Sequence, residues 1–263
     1  MDLELSGKRI LITGSYRGTG AGLARVMARE GATVWVHGFE LAPAEAVAQS
    51  IRDEGFDAHA VEGDIRTDEG AAQVAAGVGE IDVLVNNYGV AEGGTWESPT
   101  ADWIDIYQKN VLSGVRLVQA LTPGMKERGW GRVIFLSTVG YVRPNSKMPH
   151  YYASKTALIN MTVSLAKELA NTGITVNCVS PGIIATAEIR EMFRQRAEKR
   201  GEPTDWPSLE KKSASEGPMA NPAGIIGDPE DIGHLIAFLA SDRARYINAA
   251  NLRIDGGTAD SIQ

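Results

Sequence analysis

The chain holds one cysteine, Cys178, in 263 residues. That excludes an internal disulfide framework and fits a reducing compartment. No apolar run reaches the ~20 residues that cross a bilayer, and the opening Met1-Asp-Leu-Glu-Leu-Ser-Gly is too acidic for a secretory leader. Positive charge is also short: the net charge is -7, with no basic run beyond a few residues, which argues against a nucleic-acid partner. The four histidines lack metal-ligand spacing, so no catalytic metal is expected. These absences lead us to expect a soluble, cytoplasmic protein with no membrane or nucleic-acid partner.

What is present is a rhythm. Short apolar runs at residues 9–13, 33–37, 58–62, 81–86, 132–137, 174–179 and 250–254 alternate with helical stretches at 20–30, 44–54, 68–78, 103–125 and 151–170. Such alternation predicts an α/β fold: one doubly wound parallel seven-stranded sheet, Rossmann-like, with helices on both faces. The length suits a single domain over 1–263. Cys178, inside a strand, is expected as a small core residue. Residues 187–227 break the rhythm, being charged, proline-dotted and helical only at first, yet they carry Trp206, Met219, Ile225 and Ile226. We expect a mobile helical lid over a substrate pocket, inserted before the last strand.

Two motifs carry chemistry. Thr13-Gly14-Ser15-Tyr16-Arg17-Gly18-Thr19-Gly20 follows a strand and opens a helix. In that context Gly14 permits the turn, Gly18 admits a pyrophosphate, and Gly20 lets helix and sheet approach, as in dinucleotide-binding folds. At the end of the second strand, where an acidic residue would hold a ribose 2′-OH, stand Gly38 and Phe39. Arg17 suits a 2′-phosphate. Both features favour NADP(H) over NAD(H), although no basic residue follows the second strand. The other motif is Tyr151 and Lys155, four apart on a predicted helix. That spacing sets an ammonium one turn from a phenol, where it can lower the phenol's pKa from ~10 and let it trade protons.

Together these pieces resemble the short-chain dehydrogenase/reductase family, core type, over nearly the whole chain, similar in layout to 3-oxoacyl-carrier-protein reductases. Asn86-Asn87-Tyr88-Gly89 matches the family's Asn-Asn-Ala-Gly, with tyrosine in place of alanine, so a bulky side chain must turn away or narrow the cofactor pocket. The resemblance implies adenine contacts from Asp64 and Ile65, and a nicotinamide-carboxamide contact from the segment holding Pro181, Gly182, Ile184 and Thr186. It implies a structural and catalytic role for Asn110, and a hydroxyl on the substrate oxygen from Thr138 or, one position earlier, Ser137. Tyr151 would act as acid or base, while Lys155 would also hold the nicotinamide ribose.

The implied activity is hydride transfer between a nicotinamide cofactor and a small carbonyl or alcohol. The alternatives are an NAD-dependent dehydrogenase of the hydroxybutyrate or sugar-alcohol type and a non-catalytic dinucleotide-binding regulator. A homotetramer, or homodimer, built through the two long helices is also implied. Elsewhere, His150 reads as a partly exposed loop histidine, and Met148 and Tyr141 as either pocket wall or packing. Trp96, Trp103, Met125 and Trp130 read as packing and helix-end residues.

Overall fold

A computed structural model describes residues 2–261. Strands β1 (Arg9–Ile12), β2 (Thr33–Gly38), β3 (Ala58–Glu62), β4 (Val83–Asn86), β5 (Gly131–Leu136), β6 (Ile174–Pro181) and β7 (Asn251–Ile254) form one parallel sheet in the order β3-β2-β1-β4-β5-β6-β7. Ile10 of β1 lies opposite both Val34 and Val83, and its side chain is fully buried. Coverage on both faces explains why these strands read as unbroken apolar runs rather than alternating ones. The strand order reverses between β1 and β4, which opens a crevice at the carboxyl ends of the strands.

Helices α1 (Gly18–Arg29), α2 (Leu41–Asp53), α3 (Asp68–Val78), α4 (Thr100–Tyr107), α5 (Ser113–Arg128), α6 (Pro149–Glu168), α7 (Ala187–Glu198), α8 (Trp206–Ser215) and α9 (Pro229–Ala240) connect and cover the strands. One core joins Leu23 and Met27 of α1, Ile51 of α2, and Ile232 and Ile236 of α9 to the sheet. The opposite core joins Val74 of α3, Leu117 and Leu121 of α5, and Leu158 of α6, with Cys178 buried among them. Two cores on opposite faces are the doubly wound arrangement the sequence rhythm calls for. Among the described residues, no helix is long and apolar enough to cross a membrane.

Several elements differ from the sequence reading for identifiable reasons. β4 starts at Val83 because Asp82 is held by Arg9, whose backbone N–H (2.9 Å) and guanidinium (3.0 and 2.8 Å) reach its carboxylate. The expected 103–125 helix runs from α4 through a π-helical turn, Gln108–Leu112, into α5. The second half of 187–227 is not irregular: α8 begins at Trp206, with Asp205 accepting the Ser208 N–H at 3.0 Å and Pro207 in the first turn. A proline there starts a helix rather than breaking one. Trp206 stacks on Phe193 (centroids 6.2 Å, 14°) beneath Arg190, whereas Ile225 is exposed. Trp96, expected as packing, is instead 75% exposed. Ile104, Leu112 and Val163 of the two long helical segments are exposed as well.

Candidate active site

The phosphate loop lies between β1 and α1. Gly14 (φ +63°) and Gly18 (φ +55°) occupy the left-handed region, where a side chain is strained. A Cβ on Gly20 would sit 2.6 Å from Asn87 Nδ2 and 2.7 Å from the Gly14 carbonyl oxygen, so the loop tolerates nothing larger there. Asn87 Nδ2 donates to the Thr13 carbonyl at 2.8 Å and so ties β4 to the loop. Thr67, Thr186 and Asp205 cap α3, α7 and α8 with their side chains, whereas α1 has no such cap and no acidic residue in its first turn. Its first N–H groups, which have no intrahelical partners, therefore face the crevice with the positive end of the helix dipole. An uncapped helix start behind a glycine turn fits the pyrophosphate of a dinucleotide. Ser15, expected as a cofactor contact, is buried: its hydroxyl donates to the Ile12 carbonyl (2.7 Å) and accepts the His37 N–H (2.9 Å).

His37 is a site residue that the sequence reading missed. Its ring is fully buried, Nδ1 accepting the Gly14 N–H at 2.9 Å and Nε2 bonded to the Gly63 carbonyl at 2.9 Å. These two bonds set the tautomer, with the proton on Nε2, and lock the loop to the end of β3. Burial pushes its pKa down to about 4 from 6.5. A basic group depressed in the folded state takes its proton first in the unfolded chain, so stability is lost as pH falls from 6.5 toward 4. The expected slope is about 1.4 kcal/mol per pH unit, or roughly 3 kcal/mol across the window. Urea midpoints measured from pH 7 to 4.5 should show this slope in the wild type and lose it in His37→Gln. Equal slopes would show that the ring does not titrate with unfolding.

At the β2 end, Gly38 and Phe39 border the crevice. Tyr88 turns toward them and meets Phe39 edge-on at 5.0 Å, so its bulk lies on the β2–β3 side. Its Cα and Cβ close on Gly14, each 3.2 Å from where a Cβ would be, and burial raises the phenol's pKa to about 12. Ile65 is buried in the sheet core, and Asp64 is bonded to Arg66 at 2.8 and 2.7 Å.

On the other half of the crevice, α6 brings up Tyr151 and Lys155. Thr138, whose hydroxyl accepts the Gly140 N–H at 3.2 Å, lies close enough to the Tyr151 phenol to pull its pKa down. Ser137 is turned away, its hydroxyl donating to the Lys155 backbone carbonyl at 2.8 Å. Lys155 Nζ is buried and donates to the Leu136 carbonyl at 2.9 Å. A Cβ on Gly89 would sit 2.5 Å from that Nζ and 3.1 Å from Asn110 Oδ1, so the three residues meet. Asn110 lies in the π-helical turn, its amide bonded to both polar groups of the Val90 backbone (2.7 and 3.0 Å) and to Ser154 Oγ (3.0 Å).

Burial dominates at Tyr151 and raises the phenol to about 12, with Thr138 pulling the other way. Burial lowers Lys155 itself to about 8.

His150 is also corrected. It is buried in the first turn of α6, edge-on to Trp103 at 5.7 Å, rather than exposed in a loop. Pro181 ends β6, and Gly182 packs against Asp255, where a Cβ would lie 3.0 Å from its Cα. Ile184 bridges to Gly227, and Thr186 starts α7 within reach of Gly18. Glu188 of α7 pairs with Arg17 across the crevice at 3.7 Å.

This layout has relatives. Residues 8–197 match the family model of the short chain dehydrogenases. The 3-oxoacyl-[acyl-carrier-protein] reductase FabG of Haemophilus influenzae is 34% identical over 96% of this chain and 98% of its own. The D-beta-hydroxybutyrate dehydrogenase of Cupriavidus necator is 30% identical over 96% and 98%. The crystal structure of L-sorbose reductase from Gluconobacter frateurii, complexed with NADPH and L-sorbose, superposes with a TM-score of 0.92 at 31% identity over the full length of both chains. With its glycine loop, crossed-over sheet and Tyr–Lys helix in one crevice, this chain belongs to the short-chain dehydrogenase family of oxidoreductases.

Proposed function

We propose that this oxidoreductase reduces a small-molecule carbonyl, or oxidises the matching alcohol, with Tyr151 as proton donor or acceptor and NADP(H) preferred over NAD(H). The supporting observation is one constellation. The Tyr151 phenol, with Thr138 beside it, stands one helical turn from buried Lys155, at the end of the sheet that carries the uncapped phosphate loop.

A bound nicotinamide supplies or accepts the hydride. In reduction, Tyr151 delivers its proton to the substrate oxygen, and Thr138 donates a hydrogen bond to that oxygen as negative charge gathers. We assign this role to Thr138 rather than Ser137, whose hydroxyl is bonded to helix backbone. Lys155 would hold the nicotinamide ribose and supply positive charge there, while Gly89 leaves room for its amine and Asn110 holds the adjoining backbone. Gly14, Gly18, Thr19 and Gly20 would hold the pyrophosphate, and Pro181, Gly182, Ile184 and Thr186 the carboxamide end. Helices α7 and α8 would form a lid over the substrate.

The NADP(H) preference is supported by the lack of a carboxylate at Gly38, by exposed Arg17, and by likeness to a reductase crystallised with NADPH. The test is to follow reduced-nicotinamide absorbance with a panel of ketones, keto sugars and acyl ketones. We expect NADPH consumption with at least one class, and NADP+ binding about tenfold or more tighter than NAD+. Tight dinucleotide binding without consumption across the panel would favour a regulator and overturn the enzymatic reading.

A further inference from the structure

The end of β2 carries no basic residue, yet the folded chain brings one there from another strand. Arg66 follows β3, and its guanidinium centre lies 4.6 Å above the Phe39 ring. Asp64 fixes that plane with three bonds, from the Arg66 backbone N–H (3.0 Å), Nε (2.8 Å) and Nη2 (2.7 Å). Beside Gly38, Tyr16 packs with its Cβ 3.5 Å from where a Gly38 Cβ would be, and the Arg17 guanidinium lies 5.4 Å from the Tyr16 ring. Gly38 thus lies beside two guanidinium–aromatic pairs, Arg17 with Tyr16 from the β1–α1 loop, and Arg66 of the β3–α3 loop with Phe39. Two nearby carboxylates sit on these same cations, so a phosphate must share Arg66 with Asp64 and displace Glu188 from Arg17. Glu62 accepts the Leu41 N–H at the start of α2 (2.9 Å), Asp64 holds Arg66, and Glu188 faces Arg17.

In a doubly wound fold the adenosine ribose lies over the end of β2. Gly38 is therefore where a 2′-phosphate would arrive. We propose that Arg66, stacked on Phe39 and oriented by Asp64, is the second cation of a 2′-phosphate subsite completed by Arg17. This inference rests on the dinucleotide reading of the crevice and deepens it. Arg66 can serve two partners because a guanidinium has five N–H donors in one plane: the Nε and Nη2 edge is taken by Asp64, which leaves Nη1 for phosphate oxygens. Phe39 supplies the platform that sets the height of that plane. It thereby stands in for the basic side chain missing after β2. Asp64 becomes a positioning residue for Arg66 rather than a direct partner of adenine.

The test is calorimetric titration of the full chain with adenosine 2′,5′-bisphosphate and with adenosine 5′-monophosphate, probes that differ only in the 2′-phosphate. Wild type should bind the bisphosphate more tightly. Arg66→Ala should shrink the affinity ratio by about tenfold or more, as expected for loss of a charge-assisted bond. Arg66→Lys, which keeps charge but loses the fork, should fall between. Because the readout is a ratio within one protein, loss of folded material scales both titrations and leaves it unchanged. Equal weakening of both probes would assign Arg66 to the base or to structure and overturn the proposal, as would an unaltered ratio. A wild type that binds both probes equally overturns it too, while leaving hydride transfer by Tyr151 intact. Conversely, a chain that shows the Arg66-dependent ratio but reduces no carbonyl upholds this subsite and refutes the catalytic reading.

Discussion

Tyr151→Phe should lower kcat for carbonyl reduction by about a thousandfold while dinucleotide affinity changes by no more than about threefold. The substitution removes one oxygen and keeps the ring, so the edge-on contact with Tyr152 at 5.3 Å and the packing of α6 survive. What it removes is the only proton donor we assign to the substrate oxygen. Thr138 remains, but an aliphatic hydroxyl holds its proton far more tightly than a phenol and can stabilise charge without releasing a proton at neutral pH. Burial keeps the Tyr151 phenol at about 12 in the protein alone, so it is protonated throughout the physiological range and ready as an acid. The reverse direction needs the phenolate. Alcohol oxidation should therefore accelerate with pH, by about tenfold per unit up to about pH 8, where Lys155 begins to lose its charge, while reduction stays flat over that range. Stopped-flow traces of both directions from pH 6 to 10 give the two slopes. Equal rates for wild type and Tyr151→Phe would move the proton transfer to another group.

Much of this architecture was legible in the sequence because its signals are local. A buried parallel strand needs only a short apolar run, and the turn after β1 needs glycines at Gly14 and Gly18 whatever the rest of the chain does. Tyr151 and Lys155 share a helix, so their spacing alone predicts a common face. The features that escaped are relations between elements distant in sequence. Nothing near His37 reports that its ring spans from Gly14 to Gly63, and nothing near Phe39 reports that Arg66 lies over it. The choice between Ser137 and Thr138 likewise depends on which hydroxyl the Lys155 carbonyl captures once α6 packs on β5. Helix α8 is hidden in a proline-dotted stretch because proline, unfavourable inside a helix, is favourable at its start. The electrostatics of the Tyr–Lys pair escaped for a related reason: helical spacing reveals proximity, while the cost of removing both groups from water depends on what the other elements pile on top of them.

That cost leads to the second large effect, a trade between stability and turnover at Lys155. Lys155→Met should raise the melting temperature at pH 7 and lower kcat by about a hundredfold or more. Burial takes the ammonium down to about 8 from 10.5, yet at pH 7 it stays mainly charged inside the fold. A depressed basic group binds its proton more readily in the unfolded chain. Its penalty is therefore full below pH 8, fades as pH rises from 8 to 10.5, and is absent above, amounting to roughly 3 kcal/mol at most. Methionine fills similar space without charge, but it leaves the Leu136 carbonyl, which Nζ reaches at 2.9 Å, without that donor; this costs about 1 kcal/mol or more. The net gain is about 1–2 kcal/mol, or a few degrees in a chain of this length. The decisive reading is the difference between the two proteins at two pH values. The methionine variant should melt higher at pH 7 and lose that lead by pH 10, where the wild-type amine has shed its proton. A lead that persists at pH 10 would trace to packing around Gly89 instead, where a Cβ would sit 2.5 Å from the amine, and a variant melting lower at both values would show that the buried charge is compensated within the fold.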